Sequence, residues 1–180
     1  MESKIYLVPV GEIEEGILDA LDDYLENTFK CEVKIGKGIA LPQEAYNSRR
    51  GQYFSSLILD KLRQSLKPGK QQKILAISDV DLYVEGLNFV FGEAELGGHL
   101  SIISLVRLRQ SFYGFPEEKS LFLGRVKKEA VHELGHTFGL RHCRDPLCVM
   151  HFSNSLMDTD RKRASLCSRC QELLKKSLAR

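Results

Sequence analysis

Residues 132 to 142 read HELGHTFGLRH. His132 and His136 stand four apart, a spacing that on a helix puts both imidazoles on one face, where they can share a metal ion. Glu133 is one step round from His132. It is badly placed for a third ligand on that face but can reach a water on the same metal. Gly139 follows three residues after His136. A residue without a Cβ can adopt a positive φ, end the helix and turn the chain, which would bring His142 back as the third ligand. Three protein nitrogens and one open position describe a catalytic zinc site. Zinc would acidify a water and polarise a scissile carbonyl, while Glu133 would take the water's proton and deliver it to the leaving amine. HExxH alone arises by chance at a noticeable rate. The full HExxHxxGxxH pattern, on a segment that reads independently as helix, is far more specific.

Four of the five cysteines form two close pairs, Cys143 with Cys148 and Cys167 with Cys170. Each pair lets one loop offer two thiolates, and two such loops complete a Cys₄ zinc site. The rival is a redox Cys-x-x-Cys. It is expected at a helix N-terminus in a thioredoxin-like setting, and it leaves the other pair without a role. Two zinc ions per chain are therefore expected, one catalytic and one structural. His142 and Cys143 are adjacent, and successive side chains point apart, so one peptide can serve both ions at a separation on the order of 10–15 Å. The second ion would pin the loop that carries His142. Cys31 stands alone and reads as a small buried hydrophobe.

The elements that must position these groups follow from periodicity. Lys4 to Val10 reads as a strand, and Glu12 to Phe29 as an amphipathic helix. Cys31 to Ile35 is a short strand and Gly36 to Gly51 irregular. Gln52 to Leu66 reads as a helix ended by Pro68-Gly69. Lys73 to Ser78 is a near-continuous apolar run, as in a strand buried on both faces. Asp79 to Gly86 reads as a loop, Leu87 to Ala94 and Leu100 to Leu108 as strands, and Leu121 to Leu140 as the motif helix. The tail reads as loop until a basic helix near Cys170. The order β-α-β-α-β-β-β-α implies an α/β (α+β) fold, a mixed sheet covered by helices with the active-site helix last. A single catalytic domain is expected over 1–180, with residues 1–138 holding sheet and active-site helix and 139–180 forming a small zinc-bound subdomain.

Composition limits the alternatives. The 180 residues are 43% hydrophobic and 28% charged, enough apolar material for one ordinary domain with a real core. A net charge of +2 is too small to imply nucleic acid or an anionic membrane as partner. The basic tail (Arg161, Lys162, Arg163, Lys175, Lys176, Arg180) lacks interleaved aromatics. No segment is long enough to span a bilayer, and the N-terminal apolar run lacks the marks of a signal peptide. A monomeric cytoplasmic protein acting on peptides is expected, with neither nucleic acid nor membrane as partner. A module that binds peptides without turnover is the other class; a base at Glu133 argues against it.

The run VHELGHTFGLRHCRDPLCVMHFSNSL followed by CSRC resembles the signature of the archaemetzincins, a branch of the metzincin metallopeptidases. RRGQYFSSLIL, ILAISDVDLYVEGLNFVFGEAELGG and SIISLVRL are also similar, so the likeness runs from near residue 49 to residue 170. The resemblance implies a zincin-like fold with a twisted N-terminal sheet, the seven ligands named above, and Glu133 as base. It implies that Met150 forms a turn beneath the catalytic zinc, and that the protein acts on short peptides. In metzincins a sheet edge above the cleft holds the peptide as an added strand. The similar segment is Leu100 to Leu108, which makes Leu100, Ile102 and Ser104 candidate substrate contacts, with Phe152, Ser153 and Asn154 walling the pocket beyond the scissile bond. The bland alternative is an ordinary edge strand protected by Arg107 and Arg109. Some metzincins carry a tyrosine two residues after the turn methionine. Phe152 has no hydroxyl, so no fifth ligand can come from that position. No pro-segment is expected before the first strand, so restraint is expected from narrow specificity or restricted access.

Overall fold

The computed structural model describes residues 3–179. Lys4–Val10 forms strand β1, Ile17–Phe29 helix α1 and Glu32–Ile35 strand β2. A short antiparallel pair, Tyr46–Asn47 (β3) and Gln52–Phe54 (β4), leads directly into helix α2, Ser55–Leu66. Gln72–Ser78 is β5, Leu82–Tyr83 is β6, Gly92–Ala94 is β7 and Leu100–Ser104 is β8. The long helix α3 spans Lys119–Thr137, and Leu156–Arg161 (α4) and Ser168–Leu178 (α5) follow it.

The main sheet has the order β2-β1-β5-β8-β7. Its first four strands run parallel, and β7 pairs antiparallel with β8. Because successive strand side chains point to opposite faces, the strands feed two cores. Ile5, Leu7, Leu75, Ile77 and Ile103 pack with α1 and α3 on one face. Val8, Val10, Ile74, Ala76, Leu100 and Ile102 pack with Ile58 and Leu62 of α2 on the other. The apolar run in β5 is thus explained by burial on both sides. This is the mixed, helix-covered α/β fold expected. Among the described residues no helix is long and apolar enough to cross a membrane.

Several local expectations are corrected. Helix α1 starts at Ile17, because Gly16 caps it with φ 83° and the acidic stretch before it stays outside. Gln52 to Phe54 is strand rather than helix. The Gln52 amide donates to Asp81 Oδ2 and to the Asn88 carbonyl, both 3.0 Å away, and holds that segment extended against β6. The 79–86 loop contains β6, and only Gly92–Ala94 of the expected 87–94 strand pairs in the main sheet. The expected 100–108 strand stops at Ser104 and tightens into a 3₁₀ turn over Val106–Leu108. The tail contains α4, whose capping box joins Ser155 and Asp158.

The most consequential correction concerns the sheet edge. Strand β8 lies between β5 and β7, and the terminal strand is β7. Leu100, Ile102 and Ser104 are at most 1% exposed. Leu100 and Ile102 face the α2 core, and Ser104 Oγ donates to the Val80 carbonyl at 2.7 Å. None of the three can touch a substrate. Arg107 and Arg109 do not guard an edge either. Arg107 pairs with both oxygens of Asp81, and Arg109 with Asp79 and Glu14.

Candidate active site

Helix α3 carries His132 and His136 on one face. The Nδ1–H of His132 donates to the Val149 carbonyl at 2.8 Å, and that of His136 to the Leu140 carbonyl at 2.7 Å. A carbonyl can only accept, so these contacts fix the tautomer and leave both Nε2 lone pairs free. The two Nε2 atoms are 3.2 Å apart. Two lone pairs at that separation repel unless a cation lies between them. At the end of α3 the chain turns at Gly139, with φ 84°. Gly139 N–H donates to the His136 carbonyl and Leu140 N–H to the Gly135 carbonyl, so the turn is hydrogen-bonded as it leaves the helix. It delivers His142, whose ring centroid is 5.3 Å from that of His132 and 4.9 Å from that of His136. One ring nitrogen from each of the three lies within 4.8 Å of the others. Burial holds all three imidazoles below the usual histidine range, with the Lys162 charge acting in the same direction. They are therefore neutral, which is the metal-binding form. Donor chemistry and geometry fit a zinc ion.

Lys73 and the 97–98 turn secure the end of this helix. Lys73 Nζ donates to the Thr137 carbonyl at 2.8 Å, and Gly97 N–H donates to the His136 carbonyl at 2.8 Å. A cation at a helix C-terminus also complements the helix dipole.

Glu133 is buried beside the edge strand. A Cβ built on Gly92 of β7 would lie 2.6 Å from Glu133 Cγ and 2.7 Å from its Oε1. Only a glycine at 92 lets the strand and the carboxylate approach this closely. Burial pushes the Glu133 carboxyl well above the usual range; Glu129 pushes the same way and Lys162 opposes.

The cysteines come together as a second group of four, with no disulfide among them. Cys143 Sγ is 3.8 Å from Cys167 Sγ, and the Cys167 amide donates to Cys148 Sγ at 3.4 Å. Burial pushes the Cys148 and Cys170 thiols up. At Cys167 burial acts the same way but is outweighed by the Cys170 amide and the neighbouring thiols. One short loop joins the two groups. Cys148 belongs to the cysteine cluster, and the next residue, Val149, supplies the carbonyl that orients His132. Met150 then packs its sulfur under α3 at Gly135, while its carbonyl accepts from Cys143 N–H at 2.9 Å.

The histidines and Glu133 open into a cleft of about 700 Å³, walled on one side by Gly92, Glu93 and Ala94 of β7. Phe152, Ser153 and Asn154 line it, and the Phe152 ring centroid is 5.0 Å from that of His142. His99 does not line it; its Nδ1 is 2.9 Å from the Gln72 carbonyl. Gly92, Gly135, Glu129 and the Val149 carbonyl escape a reading of the sequence. Gly92 alone carries a signal there, since an isolated glycine inside a strand pattern often marks close backbone approach.

Residues 3–176 match the model of peptidase family M54. The archaemetzincin of Methanocaldococcus jannaschii is 43% identical over 175 residues, covering 97% of this chain and 94% of that one. The crystal structure of archaemetzincin from Methanopyrus kandleri is similar with a TM-score of 0.87 at 40% identity, covering 99% of this chain and 97% of that one. That of Archaeoglobus fulgidus gives a TM-score of 0.81 at 38% identity, covering 94% of this chain and 99% of that one.

Proposed function

The chain belongs to peptidase family M54 and is a zinc metallopeptidase, and on that premise we propose that it hydrolyses short peptides with Glu133 as general base and His132, His136 and His142 as the catalytic zinc ligands. The observation that carries this is the convergence of the histidine Nε2 atoms, each of the two helical rings turned by its own Nδ1–H donation to a carbonyl. When bound, zinc supplies Lewis acidity, acidifying water and polarising the scissile carbonyl.

The protein's own residues do the rest. Glu133, in a site that biases its carboxyl toward holding a proton, takes one from the attacking water and returns it to the leaving nitrogen. The free edge of β7 offers unpaired backbone donors and acceptors along the cleft, so the peptide docks there as an added strand. Cys143, Cys148, Cys167 and Cys170 hold a second, structural zinc. In this reading the division falls at residue 138, just past the end of α3. The part beyond it serves to carry His142, Val149 and Met150 to the helix.

The test compares wild type with Glu133→Ala by elemental analysis and by turnover of a mixed peptide library. Two zinc ions per chain in both, with turnover lowered roughly 10²–10⁴-fold in the variant, is expected. Equal turnover in both would remove Glu133 from the mechanism. One zinc held by the cysteines alone would remove the histidine site.

A further inference from the structure

The cleft contains a carboxylate that the reaction does not use. Glu129 lies four residues before Glu133 on α3, so the two project from the same side. It is 3% exposed, yet it lines the cleft. Its Oε1 accepts from Thr159 Oγ1 at 3.1 Å and from Lys162 Nζ at 3.3 Å. Among the described residues Oε2 accepts no hydrogen bond, and it is not among the buried orphan atoms, so it is the oxygen that meets the cleft. In the same wall Ser153 Oγ is buried without a hydrogen-bond partner.

Apart from the histidines, the ionisable side chains around this space are all carboxylic acids. Glu85, Glu93, Glu129 and Glu133 line the cleft, and among the described residues no lysine or arginine does. Three of them have other situations. Glu133 is the base. Glu93 accepts from Ser55 Oγ at 2.5 Å and Ser56 Oγ at 2.8 Å. Glu85 is on the exposed rim. Glu129 is the one left with a free oxygen inside.

Resting on the peptidase reading above, we propose that Glu129 selects substrates with a lysine or arginine side chain beside the scissile bond. A cation entering this space loses its hydration and recovers it only against an ionised acceptor. The acceptor must itself tolerate burial. Lys162 provides for that: it is 2% exposed, absent from the cleft wall, and its ammonium also donates to the His151 carbonyl at 3.2 Å. The pair is thus a fixed dipole with its negative end toward the substrate. Lys162 is a positioning residue. A side chain of equal length without the charge gains only the packing of its stem.

Two readouts separate this proposal from the peptidase reading. The first is cleavage by the zinc-loaded wild type of paired peptides that differ only by lysine or norleucine next to the scissile bond. The second is binding of the same pairs to zinc-loaded Glu133→Ala, which needs no turnover. Both are repeated with Glu129→Gln and with Glu129→Gln/Lys162→Met, which removes both buried charges together and keeps the fold testable. The lysine peptide is expected to be preferred by at least about tenfold in both readouts, as one charge-assisted hydrogen bond allows. The ratio, read within each protein, should fall to about one in the double variant. Cleavage or binding with no lysine preference in wild type overturns the proposal and leaves the peptidase intact. So does a preference that survives in the double variant. Lysine-selective binding with no cleavage of any peptide supports Glu129 while sinking the peptidase reading.

Discussion

The sulfur of Met150 lies against Gly135 of α3, which has no side chain to stand in its way. A Cβ added at Gly135 would sit 2.5 Å from Met150 Sδ and 3.0 Å from its Cε. Gly135 lies between the two helical histidines in sequence, so this contact packs the methionine against the stretch of α3 that carries them.

Gly135→Ala should therefore overpack a fully buried contact. A loss of about 1–3 kcal/mol in stability is expected, read by thermal unfolding. Trimming the partner in Gly135→Ala/Met150→Ala should give less than the sum of the two single effects. Strict additivity would mean that the two side chains do not press on each other.

Gly92 makes a similarly close contact, with Glu133. In Gly92→Ala the new methyl meets Glu133 Cγ and the Ile102 carbonyl, both at 2.6 Å, and the backbone carbonyl cannot give way cheaply. The edge strand or the carboxylate must move. Peptide turnover should drop by roughly 10²-fold, as for an angstrom-scale misplacement of a reacting group, with metal content unchanged. Retained turnover would show that the strand has slack here.

Besides the His142–Cys143 peptide, the cysteine cluster reaches the histidines through Val149, which follows Cys148 and whose carbonyl holds His132. Cys167→Ser should loosen that carbonyl without touching a histidine. Catalytic-zinc affinity is expected to weaken about 10–100-fold, the usual effect of losing a ligand's outer hydrogen bond. Competition with a chelator measures it. Unchanged affinity in a folded variant would uncouple the two sites.

The metal-free protein should also be sensitive to mild acid. Burial first, and the charges of Lys162 and His136 next, hold His132 well below its usual range. Its unfolded form then binds more protons than its folded form below about pH 6.5, so stability falls as pH drops through that value toward the folded pKa. Urea unfolding of chelator-treated protein between pH 7.5 and 5.5 should show this decline, and His132→Gln should flatten it. A decline equally steep in the variant would assign it to other groups.

Much of the site was legible in one dimension because its constraints are local. His132 and His136 share a face by helical spacing alone, and Gly139 is recognisable as a turn from the absence of a Cβ. The cysteine spacings name a four-thiolate group without any fold. Strands β1 and β5 and helices α1 and α3 follow from periodicity, since each buries a continuous face or stripe. Helix α4 falls in the tail that reads as loop, although Ser155 and Asp158 form a capping box there.

What the sequence could not decide is what depends on neighbours distant along the chain. Which strand forms the sheet edge is set by pairing order, and β7 rather than β8 takes that place because β8 is held on both sides. Nothing local to Leu100, Ile102 or Ser104 states that α2 and the loop at Val80 enclose them. Gly92 against Glu133, Gly135 against Met150 and Glu129 against Lys162 join residues from separate elements. Residue type and spacing therefore determined the chemistry this protein carries. Only tertiary packing decided which backbone edge, carbonyl and buried charge surround it, because those contacts exist only once the sheet and the segment beyond residue 138 have closed against α3.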